Sequence, residues 1–329
     1  LYFYYHRRNT KKTEKMKTSK IYLGLAITLL AGAVTFSSCR KKEKTDATPA
    51  DTEQSTATDN NLAENTSNDI VAMGSQVCEN GSLSMYKTEG NGILSISPCA
   101  TITANTIAKT YTVDFGTTGS CVGTDGRKRT GKLFFNFSDS SPSTAIYYRN
   151  PGFSMSVTSS NYVVDGNQVN VINKTVKNTT PLSIPAGPYP PYNLTWSVTA
   201  QISIVKANNG GTISWTCNRT KELLSSGDPL CYNGQSSAIN WTKAKVKLNG
   251  SATGVNAKGE NFTATAKDLV RDFTCTPDNT KPHRHPFISG KIEYTPGNRP
   301  TRFIDFGNGT CDFAGTVTIN GQSFSFTLQ

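Results

Sequence analysis

The sequence predicts an all-β fold: an antiparallel meander of about 12 to 16 strands, arranged as two sandwich-like layers. Three observations lead there. Across Asn193–Ile204, the apolar residues Leu194, Trp196, Val198, Ala200, Ile202 and Ile204 alternate strictly with polar ones, which puts one side-chain set on each face of a strand. Asp165-Gly166 and Asn320-Gly321 sit between short alternating runs, the pattern of two-residue hairpin turns. Helical periodicity is nearly absent; Arg219–Ser226 is the one stretch with the composition for a turn or two of helix. A sheet with one apolar face must pack against another layer or close on itself, so a closed barrel is the alternative. The apolar bands that a membrane-spanning barrel needs are not repeated along the chain.

Taken from the N-terminus, residues 1–15 precede Met16 and read as upstream translation. Residues 16–38 read as a signal peptide. Lys17 and Lys20 form a basic start, and Ile21–Val34 is an apolar run of 14 residues, short of the roughly 20 that cross a bilayer. Phe36-Ser37-Ser38 then leads into Cys39. This layout resembles the lipobox of bacterial lipoproteins, with Phe36 where leucine is usual, and implies acylation of Cys39. Several acyl chains, each methylene contributing about 0.8 kcal/mol, would hold the protein on a membrane. The expected address is the outer membrane. Arg40, Lys41 and Lys42 directly follow the cysteine, so a periplasm-facing and a surface-exposed position both stay open.

Residues 39–72 lack aromatics and nearly all large aliphatics, and are expected to be a disordered tether. They carry four Lys/Arg against seven Asp/Glu; the body, residues 73–329, carries 23 against 15, a net +8. An exported basic body without a nucleic-acid motif argues against nucleic acid as a partner. The Pro-rich Pro181–Asn193 reads as a connector, and divides the body into candidate halves 73–185 and 186–329. Asn209-Gly210 and Asn249-Gly250 are further turn candidates.

The halves share a pattern. Thr110–Gly116, ending Val-Asp-Phe-Gly, aligns with Thr301–Gly307, ending Ile-Asp-Phe-Gly, and a cysteine follows each. Gly131-Lys132-Leu133 then aligns with Gly315-Thr316-Val317. A kinase reading of Asp-Phe-Gly fails because no phosphate loop, strand lysine or catalytic loop accompanies it. Asp114 and Asp305 read instead as turn formers whose carboxylates accept backbone N–H groups. Exported cysteines are expected to pair. The repeat suggests Cys99–Cys121 and Cys275–Cys311, proximity suggests Cys217–Cys231, and Cys78 is left over. The first copy carries an inserted basic loop, Val122–Thr130, so Asp125, Arg127, Lys128 and Arg129 are the candidate binding residues.

The ordered set TVDFG, TDGRKRTGK, WTCNRTKEL, FISGKIEYTP and TRFIDFGNGTCD followed by VTING resembles a family of Bacteroidota lipoproteins of uncharacterised function. The likeness covers residues 99–329. It implies an anchored, exported β protein and supplies no activity. The pair Cys217/Cys231 and the Pro-rich connector are departures from the pattern.

Catalytic signatures are missing. His283-Pro-flanked with His285 offers two of the three or four ligands a metal needs, so neither metal nor cofactor is expected. Trp196, Trp215 and Trp241 are expected in the core; Tyr147, Tyr148, Tyr189 and Tyr192 fall near loops where a ligand could touch them. The expectation is an envelope protein with a structural or binding role, its partners being the membrane through its lipid and an envelope glycan or another envelope protein. A glycan hydrolase using paired carboxylates, and a docking partner of an outer-membrane machine, are the alternatives.

Overall fold

The computed structural model describes residues 55–80, 99–105, 107–119, 121–123, 125–181, 193–234, 237–278 and 285–327. The signal segment with Cys39, most of the Pro-rich connector and His283 lie outside them.

Among the described residues one α-helix, α1 (Ser55–Asn80), precedes fourteen strands. The first group is β1 (Thr101–Asn105), β2 (Thr110–Asp114), β3 (Cys121–Val122), β4 (Lys128–Asn136), β5 (Ser154–Val164), β6 (Asn167–Asn178) and β7 (Thr195–Val205). The second is β8 (Thr212–Leu223), β9 (Lys245–Val255), β10 (Asn261–Asp272), β11 (Phe287–Pro296), β12 (Arg302–Asn308), β13 (Ala314–Ile319) and β14 (Gln322–Thr327). They form one antiparallel sheet in chain order, with β3 as a short flap on β4. β1 and β14 are the two ends of the path, so the sheet is an open meander and not a closed barrel.

The all-β antiparallel meander is as expected, at fourteen strands among the described residues; in place of two separate layers it is one open sheet, with α1 packed against its apolar face. The sheet curls to do this. β5 and β12 are seven strand steps apart along the path, about 34 Å if the sheet were flat. Yet Val164 of β5 and Ile304 of β12 line the same cavity against α1. Bulges set opposite glycines contribute to the bending. At Gly131 the φ is +78° and the register between β4 and β5 shifts; a Cβ there would sit 2.0 Å from the Asn161 carbonyl oxygen.

The alternation read from Asn193–Ile204 holds, with Trp196, Val198, Ala200, Ile202 and Ile204 buried on the inner face of β7. Asp165-Gly166 and Asn320-Gly321 are two-residue turns with positive φ at both positions, joining Val164 to Asn167 and Ile319 to Gln322. Asn209-Gly210 also lies in a turn, the β7–β8 connection 206–211, where the Gly210 N–H donates to the Ala207 carbonyl at 3.1 Å. Two other local readings fail: Gly250 lies inside β9, opposite a bulge of β10, and Arg219–Leu223 continues β8 as strand. The sheet also runs unbroken across the proposed midpoint, since β6 pairs with β7 along its length.

The repeated segments are structurally equivalent. Val113 faces Leu133 and Asp114 faces Lys132; likewise Ile304 faces Val317 and Asp305 faces Thr316. Asp114 accepts from the Gly116 N–H at 2.9 Å, and Asp305 from the Gly307 N–H at 2.9 Å. Each copy has its own disulfide, Cys99–Cys121 and Cys275–Cys311. The third bridge does not form. Cys217 lies mid-strand on the inner face of β8, whereas Cys231 sits beyond the strand's end beside Ser225. The six steps from Cys217 to Leu223 alone span about 20 Å of extended chain, and a disulfide needs Cα atoms within about 7 Å. Cys78 keeps its thiol, buried with its Sγ 3.7 Å from Met155 Sδ.

The tether expectation also changes. Residues 55–72 belong to α1 and not to a disordered segment. The helix has little apolar character of its own, which is why its composition reads as unfolded. It is nevertheless buried over most of its circumference. Small residues allow the close approach: a Cβ on Gly74 would lie 2.6 Å from Met155 Cε and 2.8 Å from Phe135 Cε1.

Candidate binding site at the helix–sheet interface

The inner face of the sheet is apolar at most positions and cationic at six. Arg129 of β4, Lys174 of β6, Arg219 and Lys221 of β8, Arg271 of β10 and Arg302 of β12 are all buried there. Buried charge is unfavourable unless paired and hydrogen-bonded. The polar side chains of α1 supply many of the partners.

From the N-terminal end of α1, the Asn256 amide donates to Thr56 Oγ1 at 3.0 Å. Asp59 accepts from Lys206 Nζ at 2.6 Å and from the Ala257 N–H at 2.9 Å. Trp215 Nε1 donates to Asn60 Oδ1 at 3.1 Å. Glu64 takes a two-pronged contact from Arg219, with Nη2 at 2.6 Å and Nε at 3.4 Å. Arg271 donates to Asn65 at 3.1 Å, Lys174 to Ser67 Oγ at 2.6 Å, and Arg127 to Asp69 at 2.5 Å. The acidic balance of the segment before the body and the basic balance of the body thus meet at this interface.

The four candidate binding residues of the inserted loop fall mostly into the same interface. Arg129 forms a fork with Asp125, at 2.8 Å and 2.6 Å, with both side chains buried. Burial opposes ionisation of Asp125, and the Arg129 guanidinium outweighs it, holding the carboxyl below its usual range. Arg127 pairs with Asp69. Only Lys128 is exposed. The loop is therefore a clasp on α1 and not a free basic patch. The tryptophans are buried as expected. Tyr148 is the opposite of its loop-contact reading: it is fully buried and stacked on Trp196 at 4.8 Å. His285 is also buried, its Nδ1 2.8 Å from the Cys275 carbonyl oxygen.

Two spaces flank the helix. The larger, ≈ 540 Å³, lies beside the first half of α1. Its apolar walls include Leu62, Val169, Ile304, Val317 and Phe326, and its polar groups include Asp59, Asp165, Arg127 and Lys206. A volume of this size is in the range of small-molecule sites. The smaller, ≈ 30 Å³, lies beside the second half of α1, with Glu64, Arg219, Lys221 and Arg271 among its lining.

Lys221 is the most unusual group at the interface. Its ammonium sits among three rings, 4.7 Å from the Trp241 centroid, 5.4 Å from Tyr148 and 5.5 Å from Trp196, and donates to the Tyr148 hydroxyl at 3.3 Å. Burial, then the neighbouring Arg271 and Lys174, push its pKa down to about 7. Burial likewise brings Lys174 down to about 8, against the opposing pull of Cys217 and Glu64.

Of these inner cations only Arg129 was singled out from sequence as a site residue. A signal did exist for two of the others. Ile213, Trp215 and Cys217 mark the inward parity of β8, and the same parity runs on through Arg219 and Lys221 to Leu223.

The fold and the site define a class: an open antiparallel gutter closed over a polar helix, with ligand-sized space beside it. No protein-family model, no curated protein and no solved structure matches the chain.

Proposed function

We propose that this chain is a lipid-anchored envelope protein that binds a small, largely apolar molecule in the cavity beside the first half of α1. The cavity carries this reading. It has walls from the helix, from the β5–β6 hairpin and from β12–β14, and its volume, ≈ 540 Å³, suits a compact ligand. The state of the carboxylates favours binding over hydrolysis. A glycan hydrolase needs a carboxyl kept protonated near neutrality beside an ionised one. Among the described residues, Asp114, Asp125, Glu222, Asp272 and Asp305 all have their pKa shifted downward. Asp59, Glu64 and Asp69 are each held by a lysine or arginine. Docking through a basic face has less support, since Lys245, Lys247, Lys267 and Lys291 are paired with carboxylates across neighbouring strands.

The test is titration with the neutral apolar dye N-phenyl-1-naphthylamine. Dye fluorescence should rise saturably with the wild-type protein. Val317→Trp, which fills the cavity from β13, should weaken binding at least tenfold, about 1.4 kcal/mol, while leaving the far-UV circular dichroism unchanged. Equal dye affinity in a folded Val317→Trp would sink the reading. The anchor is tested separately by metabolic labelling with a fatty acid, which Cys39→Ala should abolish.

A further inference from the structure

The smaller chamber has lost the charge balance kept elsewhere along α1. Arg219, Lys221 and Arg271 line it together with a single carboxylate, Glu64, which is already engaged by Arg219. Lys174 lies close enough to act on Lys221 electrostatically. All four cations are nine-tenths or more buried. Two donors among them, Arg219 Nη1 and Arg271 Nε, have no protein acceptor. Buried guanidinium donors left unmatched are costly, and a matched acceptor here would recover that cost. Guanidinium groups favour planar oxyanions, to which they donate in parallel.

The rest of the lining selects among anions. Val198, Val246, Leu248, Leu269, Phe273 and Phe287 close the chamber. A volume of ≈ 30 Å³ is one or two waters' worth, so the chamber holds the head of a small anion and takes further atoms only as its aliphatic lining shifts. A flat carboxylate with a short aliphatic stub meets both demands. Tetrahedral phosphate is bulkier, carries more charge to desolvate and offers nothing to the apolar walls.

We infer that Arg219, Lys221 and Arg271 form a buried site for the carboxylate group of a short aliphatic acid, lying between the second half of α1 and strands β7–β11. The site is separate from the larger cavity, with which it shares no lining residue. The acid's carboxylate accepts from Arg219 Nη1 and Arg271 Nε, and the Lys221 ammonium in its box of rings supplies the third positive charge. Its alkyl carbons lie against Leu248, Leu269 and Phe287.

The test uses the full chain and three probes: propionate, acetate and inorganic phosphate. Calorimetric titration should give saturable one-to-one binding of propionate, tighter than acetate and at least tenfold tighter than phosphate. Lys221→Met and Arg271→Met, which keep the side-chain bulk without the charge, should each weaken propionate at least tenfold. Arg271→Lys should retain most of the affinity. Native tryptophan emission checks that the variants are folded. Should the Met variants fail that check, nuclear Overhauser contacts from the propionate methyl in the wild type decide, with Leu248 and Phe287 the expected partners. Lack of propionate binding, phosphate bound as tightly, undiminished binding by folded Met variants, or Overhauser contacts to other residues would each overturn the inference.

Discussion

Glu64, midway along α1, and Arg219, on the inner face of β8, form a buried ion pair with Nη2 2.6 Å from Oε2 and side-chain exposures of 1% and 2%. They are 155 residues apart in the chain. A pair this buried is a poor source of net stability, because desolvation of both ions offsets their attraction. It is a strong source of specificity, because either ion alone is uncompensated. Glu64→Leu should therefore cost about 3–5 kcal/mol in urea unfolding, whereas the double change Glu64→Leu with Arg219→Met should recover most of that loss. Equal losses in the single and double variants would show that the pair is not coupled.

How much of this was legible in the sequence follows from where each signal resides. Strand β7 was legible because every inner position from Trp196 to Ile204 is apolar, so parity and hydropathy agree. The turns at Asp114 and Asp305 were legible because the interaction is local, an aspartate accepting from the N–H two residues on. Helix α1 was not legible. Its burial is made favourable by Lys206, Arg219, Arg271 and Arg127, more than 50 residues away in each case, and composition alone reports only that the segment cannot fold unaided. Arg219 and Lys221 were hidden for the converse reason: their parity points inward, but a charged residue is ordinarily assigned to solvent.

The buried lysines give stability a specific pH dependence. The folded-state pKa of Lys221 is about 7 and that of Lys174 about 8, against an unfolded value of 10.5. Above pH 7 the unfolded chain holds protons that the folded one has released, so stability rises with pH, by up to about 1.4 kcal/mol per unit for each proton. The groups facing Lys221 are Arg271, Lys174 and Tyr148. The Cys217 thiol, pushed up from 9.0 to about 11 by burial, contributes with the opposite sign only near and above pH 9. Urea midpoints measured from pH 6.5 to 8.5 should climb in the wild type and climb less steeply in Lys221→Met. A flat wild-type profile would contradict the burial of these amines.

The cysteines are predicted to divide into two classes. Non-reducing peptide mapping should return Cys99–Cys121 and Cys275–Cys311 and no bridge between Cys217 and Cys231. Cys78, Cys217 and Cys231 are buried, so a thiol reagent should reach them only after denaturation. Removing the second bridge with Cys275→Ser and Cys311→Ser together should lower stability by about 2–4 kcal/mol, since that bridge closes a loop of 36 residues near the end of the sheet.

The inserted basic loop offers the sharpest comparison between neighbouring residues. Lys128 and Arg129 are adjacent in sequence and on β4, yet alternation sends one to solvent and the other to the core. Lys128→Ala should change stability by no more than about 0.5 kcal/mol, as expected of an exposed side chain without a special role. Arg129→Met removes the fork to Asp125 and leaves that carboxylate buried, so a loss of about 3–5 kcal/mol is expected. Adding Asp125→Asn to Arg129→Met removes the stranded charge and should restore part of the loss. The changes should also loosen α1, because the same loop holds Asp69 through Arg127. Amide hydrogen exchange should therefore quicken in the helix around Asp69 in Arg129→Met and stay at the wild-type rate in Lys128→Ala. A binding loop exposed to solvent would give the reverse order, with Lys128 affecting function and Arg129 affecting little.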